Sequence, residues 1–197
     1  MPTIVDRVFR SFLPTCCLLC LGAIALAQAD KKSDGALERV AAGTFDVRPL
    51  TPTESLATMK LPPGYSLQLV ASEPMVQEPC LVVWDGDGRM YIAELRTYMQ
   101  DAEGSGKFEA TSRVVRLEDT DNDGVMDRRT VFADELMLPR VVLPLGNKVI
   151  IGETNTLDLY AYEDTDGDGK SDKKELWHQG GKRGGNLEHQ PSGLIWA

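Results

Sequence analysis

Apolar residues along most of this chain recur with a period of two, the spacing that sets alternate side chains on one face of a strand. Tyr65, Leu67 and Leu69 alternate with Ser66 and Gln68 just after a Pro62, Pro63, Gly64 break, which predicts a half-buried strand. Runs rich in β-branched, aromatic and other apolar residues follow at 81–84, 89–94, 113–117 and 129–132. Asp85, Gly86, Asp87 and Gly88 fill the first gap and read as a tight hairpin turn, where glycine accepts positive φ. A longer polar connection with Gly104 and Gly106 at its middle separates the second and third runs. Together these runs predict one four-stranded antiparallel unit over residues 81–134. A second set at 140–145, 148–152, 157–162 and 174–177 predicts another over 139–178, with Gly146 and Asn147 in its first turn. Pro144 falls inside a strand of that unit, where it is tolerated near an end or on an edge. Residues 192–196 predict the first strand of a third unit. Ahead of all this, residues 30–60 mix charge, Pro, Ser and Thr without sustained periodicity and read as a linker with a short helix within 53–60.

The third and fourth strands of each predicted unit are joined by an acidic loop. The second carries Asp164, Asp166, Asp168, Asp172 and Glu175, with Gly169 sixth from its start. Oxygen donors at positions 1, 3, 5, 9 and 12 with a glycine at 6 are the spacing of a calcium loop, and an all-oxygen set favours calcium over zinc or copper. Without a cation the carboxylates repel one another, and a divalent ion reverses the sign of that term. The first loop is a near-copy: Asp119, Asp121, Asp123, Gly124 and Asp127, with Thr130 at position 12. Counting carboxylates alone, the first loop is expected to bind more weakly. The flanking runs are strand-like, so a helical EF-hand pair does not fit.

Asp119 and Asp164 stand 45 residues apart, about the length of one propeller blade. The expected fold class is therefore all-β: a partial β-propeller of two four-stranded blades and the start of a third. Residues 61–197 number 137, about three blades' worth at roughly 45 each, whereas propellers typically have four or more. The expectation is a fragment of a longer propeller. In such units the first-to-second and third-to-fourth turns emerge at one end, and both acidic loops with them. The opposite end would gather Glu94, Arg96, Arg140, Glu153, Thr154, Asn155 and His189. His189 follows a Gly-rich link, and an imidazole titrating near neutral pH suits proton abstraction; His178 reads as a surface residue at a strand end.

The N-terminus changes the picture of where this chain works. Arg7 and Arg10, a mostly apolar stretch over 13–26 and a small-x-small site at Ala27, Gln28 and Ala29 form an export signal over residues 1–29. Its apolar core contains Pro14 and falls short of the roughly 20 residues a spanning helix needs, so cleavage is expected over an uncleaved membrane anchor. The expected location is exported, periplasmic or extracellular. Losing Arg7, Arg10 and Asp6 takes the net charge from -9 to -10, which argues against nucleic acid as a partner. Cys16, Cys17 and Cys20 lie in the signal, and Leu21 stands where haem attachment through Cys17 and Cys20 would need His. Cys80 alone remains, so no intrachain disulfide can staple the mature chain, and calcium becomes the natural substitute.

The segment from Leu61 through Pro74, the Gly88–Arg96 run ending in Glu94 and Arg96, the two Glu-Asp-Thr-Asp loops and the His189 stretch ahead of Gly193 and Trp196 together resemble the N-terminal propeller of PVC-type haem-binding proteins. The resemblance covers roughly residues 60–197. That family's propeller is similar to soluble quinoprotein glucose and sorbosone dehydrogenases, whose general base is a His just before a comparable strand. The resemblance implies that role for His189, with Glu94 and Arg96 matching the end of an early strand. It also implies a quinone cofactor of the PQQ type, a carbohydrate or small alcohol substrate, and a cytochrome c domain as electron acceptor in a complete protein. The sequence thus leaves three readings: a calcium-binding propeller fragment of a dehydrogenase-like protein, a non-catalytic carbohydrate- or protein-binding module, and a truncated remnant.

Overall fold

The computed structural model describes residues 48–182 and 187–195. The predicted signal, the linker up to residue 47, Asn186 and Trp196 lie outside the described residues. Helix α1 (Pro52–Thr58) starts at a capping box: the Thr51 hydroxyl accepts from the Glu54 N–H, and the Glu54 carboxylate accepts from the Thr51 N–H. Pro52 fits the first turn, where no N–H is needed. The helix ends at Thr58, because Met59 is already extended. No helix among the described residues is long and apolar enough to cross a membrane.

Eight strands follow: β1 (Pro79–Trp84), β2 (Met90–Glu94), β3 (Ser112–Glu118), β4 (Arg128–Leu136), β5 (Val141–Leu145), β6 (Lys148–Gly152), β7 (Leu159–Glu163) and β8 (Lys173–His178). They form two four-stranded antiparallel sheets, β1-β2-β3-β4 and β5-β6-β7-β8, each a simple meander. The all-β expectation and both sets of four strands are present; the described strands make two open sheets. The Asp85 turn is a hairpin closed by its own side chain: Oδ1 accepts from the Asp87 and Arg89 amides, and Arg89 Nε donates to Oδ2 at 2.6 Å. Pro144 sits in β5 opposite Val149, at the sheet edge where a missing N–H costs no ladder bond.

One core spans the two sheets. Tyr91, Ala93, Val114, Phe132, Ala133 and Leu136 of the first sheet pack with Val142, Val149, Ile151 and Tyr162 of the second. Tyr91 and Phe132 meet edge to face, with centroids 5.3 Å apart, a geometry worth about 0.5–1.5 kcal/mol beyond area burial. The outer face of the first sheet forms a second cluster: Met90, Ile92, Val115, Leu117 and Met126 are covered by Val70, Ala71, Met75 and Val76. Strand β2 is buried at every position because its alternate side chains enter these two clusters.

Three of the differences from the sequence expectation have a clear physical reason. Residues 65–69 alternate as a strand should, yet they join no ladder, and Tyr65, Leu67 and Leu69 are exposed. A strand needs a hydrogen-bonded neighbour, and this segment instead runs as a strap beside the first acidic loop. There Gln68 Nε2 donates to the Asp123 carbonyl at 3.1 Å and the Met126 N–H to the Val70 carbonyl at 2.9 Å. Strand β7 starts at Leu159 rather than Leu157, because Leu157 is drawn out by the Gly181 carbonyl, to which its N–H donates. Residues 192–195, expected as a third unit's first strand, lie outside any strand; the Gly193 N–H donates to the Arg140 carbonyl.

Candidate metal loops and the opposite end of the sheets

Both acidic loops are β3–β4-type connections, and they fold alike. In each, the first Asp accepts from the glycine amide at position 6: Gly124 to Asp119 and Gly169 to Asp164, both at 2.8 Å. Those glycines have φ of +88 and +94, a region that L side chains rarely adopt. The position 9 Asp folds back on the Thr at position 2: Asp127 accepts from the Thr120 N–H and hydroxyl, and Asp172 from those of Thr165. Carboxylate oxygens of Asp119, Asp121 and Asp127 lie within 4.8 Å of one another, as do those of Asp164, Asp166 and Asp168. Asp123 and Asp172 fall outside these triplets; Asp123 accepts from the Val125 amide.

Position 12 behaves differently from a calcium loop's. Thr130 lies in β4 opposite Arg116, and Glu175 lies in β8 opposite Ala161. Glu175 pairs with Lys173 at 3.1 Å and Lys148 at 3.5 Å. A strand begins where a helical loop would curl back, so the last ligand is carried away from its own loop. The residues that fit a cation are therefore the two convergent triplets.

The loops differ in their neighbours. Asp164 Oδ2 lies 3.3 Å from the guanidinium of Arg116, a buried β3 residue that also meets Glu118 at 3.2 Å. Burial pushes the Asp164 carboxyl up, but amide donation from Gly169 and Gly167 and the charge of Arg116 outweigh it and hold it below its usual value. Asp119 is likewise held low, chiefly by the Gly124 amide, and no ion pair of Asp119 is seen among the described residues. Glu118 is depressed as well: burial opposes ionisation, while Arg128 and Arg116 more than compensate.

At the other end of the sheets, the residues expected as catalytic candidates are only partly brought together. Arg140 Nε donates to Thr154 Oγ1 at 3.1 Å, its guanidinium lies 5.9 Å from the Tyr98 ring, and Thr154 Oγ1 donates to the Leu138 carbonyl. The Asn155 N–H donates to Oε1 of Gln190. Tyr98 and the buried Gln190 carried no sequence signal, since their roles arise from loops that meet only in the folded chain. His189 is exposed at the end of a short 3-10 turn, Leu187–His189, and Arg96 is half-buried in the turn after β2.

Glu94 is fully buried, and both its oxygens are engaged. One accepts from the Gln77 N–H at 2.9 Å and the other meets Arg129 at 3.1 Å. The second sheet repeats this joint: Glu153 accepts from the Met137 N–H at 2.6 Å and faces Lys174 at 3.7 Å. Gln77 and Met137 each stand two residues before a proline that leads into the next first strand, and Arg129 and Lys174 occupy the same place after their loops. A Glu repeated in this way ties the incoming strand to the fourth strand of its own sheet. No hydrogen bond or ion pair joins Glu94, Arg96 and His189 to one another among the described residues.

The chain is thus an all-β protein of two repeated meander sheets, each with an acidic hairpin loop. It belongs to the family described as Domain of unknown function (DUF7133), whose model matches residues 51–197. No curated protein and no solved structure matches it.

Proposed function

We propose that this chain is a calcium-stabilised pair of propeller-type blades, exported by its N-terminal signal, which serves as a scaffold and performs no catalysis by itself. The observation that carries the reading is the convergence of three carboxylates in each loop, at positions 1, 3 and 9 of the first and 1, 3 and 5 of the second. Asp119, Asp121 and Asp127 would hold one ion, and Asp164, Asp166 and Asp168 the other. The ion would supply charge neutralisation, locking the outer two strands of each sheet across the loop that joins them.

The dehydrogenase-like reading belongs to a longer assembly. Glu94 is spent on a structural joint and His189 stands apart from it, so these residues do not form a cradle for a quinone, and no step through one follows. The half-buried Arg140, held by the buried Thr154 hydroxyl, and the exposed Asn155 support a binding face for a carbohydrate or protein at that end.

Isothermal titration of the metal-free chain with calcium tests the proposal. Two sites are expected, with Asp119→Asn and Asp164→Asn each removing one, and thermal unfolding should shift upward with calcium. At a hundredfold excess over Kd each site would add about 2.7 kcal/mol. Absence of both heat and thermal shift would refute it.

A further inference from the structure

Five of the seven arginines between residues 79 and 178 pair with carboxylates: Arg89, Arg113, Arg116, Arg128 and Arg129. In a chain of net charge -9 such partners are plentiful. Arg140 is an exception. Among the described residues it meets no carboxylate, and neutral groups hold its guanidinium instead. Nε donates to Thr154 Oγ1 at 3.1 Å, that hydroxyl donates in turn to the Leu138 carbonyl at 2.9 Å, and the Tyr98 ring centroid lies 5.9 Å from the guanidinium carbon. Thr154 is buried, so the hydroxyl that fixes this side chain is itself fixed.

The repeat shows that the fold does not need this arrangement. Arg140 follows Pro139 into β5 as Cys80 follows Pro79 in β1, and Thr154 follows Glu153 as Leu95 follows Glu94. The first sheet thus builds the same strand entry and the same Glu joint with neither a cation nor a hydroxyl at those two places. The second sheet adds a cation and the group that orients it. Among the described residues Nη1 and Nη2 of Arg140 make no hydrogen bond, and that two-pronged edge matches the two oxygens of a carboxylate. Asn155 comes next in the chain. Its N–H donates to Gln190 Oε1, its φ is +66 and its side chain is exposed, so it offers an amide to a ligand beside the guanidinium.

We propose that Arg140 is the anion-recognising group of a site for an acidic carbohydrate, its guanidinium taking the carboxylate of a uronic acid and the Asn155 amide a neighbouring hydroxyl. The inference rests on the reading of this end as a binding face, and it names the ligand. One fixed guanidinium among neutral polar groups suits one carboxylate on a hydroxylated body. An acidic peptide, with its row of carboxylates, calls for a row of cations, and a chain of net charge -9 repels it. Because Thr154 and Tyr98 hold the guanidinium before any ligand arrives, little side-chain entropy is left to lose on binding. The half-buried setting of Arg140 also screens the contact less than open solvent does.

Calorimetric titration of the full chain with a trisaccharide bearing a single glucuronic acid, and with the methyl ester of the same trisaccharide, tests this. The acid is expected to bind about tenfold more tightly than the ester, or better. Arg140→Gln should abolish that preference while keeping the wild-type melting curve, since the first sheet carries Cys80 at the same place. Arg140→Lys, which keeps the charge and loses the two-pronged edge, should retain only part of the preference, and it serves as the second variant if Arg140→Gln does not fold. Equal binding of acid and ester, or a preference undiminished by either substitution, would overturn the proposal and leave a face for neutral sugars standing. Binding of tetraglutamate in place of the trisaccharide would overturn it in favour of a protein partner, and failure of acid and ester alike to bind would remove the carbohydrate face with it.

Discussion

Single residues in this protein carry unequal burdens for reasons visible in their surroundings. Glu94 is buried against Arg129, and removing one partner of a buried pair strands the other. Glu94→Ala is expected to cost about 3 kcal/mol in chemical denaturation, and Glu153→Ala clearly less, because Lys174 is half exposed and more distant. Gly169→Ala should be more damaging than Gly124→Ala. Both need positive φ, but the new Cβ at 169 would meet the buried Arg116 guanidinium, while at 124 it would meet the end of an exposed Gln68. Thermal melts of the two variants check that order. Acid should also act through a few groups. Glu118 has a depressed pKa in the folded chain, so its contribution is present above the unfolded value and is lost as pH falls through the folded one. Stability measured by circular dichroism should accordingly decline below about pH 4, and Glu118→Gln should flatten that decline.

At the scale of elements, the two loops look nearly identical in sequence and differ in what they touch. Carboxylate counting ranks the second loop as the tighter calcium site, on the strength of Glu175 against Thr130. In the folded chain neither residue returns to its own loop, and Arg116 already places a positive charge on Asp164. A cation entering the second loop must share that carboxylate with a guanidinium, so the first loop is expected to bind calcium about tenfold more tightly, a difference of about 1.4 kcal/mol. Arg116→Gln should raise affinity at the second loop and leave the first unchanged, as resolved by titrating Asp119→Asn and Asp164→Asn backgrounds. Equal affinities in the two loops, unaltered by Arg116→Gln, would remove Arg116 from the account.

For the molecule as a whole, the shared core makes the two sheets one cooperative body. Ile151 is fully buried in the cluster that joins them, so Ile151→Ala should cost about 2–5 kcal/mol. It should also lower a single thermal transition; two separate transitions would show that the sheets unfold independently.

By itself the sequence determined the eight strands, their grouping into two repeats 45 residues apart, the hairpin at Asp85 and the acidic character of both third-to-fourth loops. Those are local properties: alternation, turn chemistry and ligand spacing are written in neighbouring residues. Only the tertiary structure decided which carboxylates converge, that Glu94 is a joint shared with Glu153, that Arg116 reaches into the second loop, and that residues 65–69 serve as a strap. Each of these depends on a partner from a distant segment, brought within a few ångströms by the packing of one sheet on another. Strand pairing and burial are long-range by nature. A periodic pattern can say that a face will be covered, but only the fold says by what.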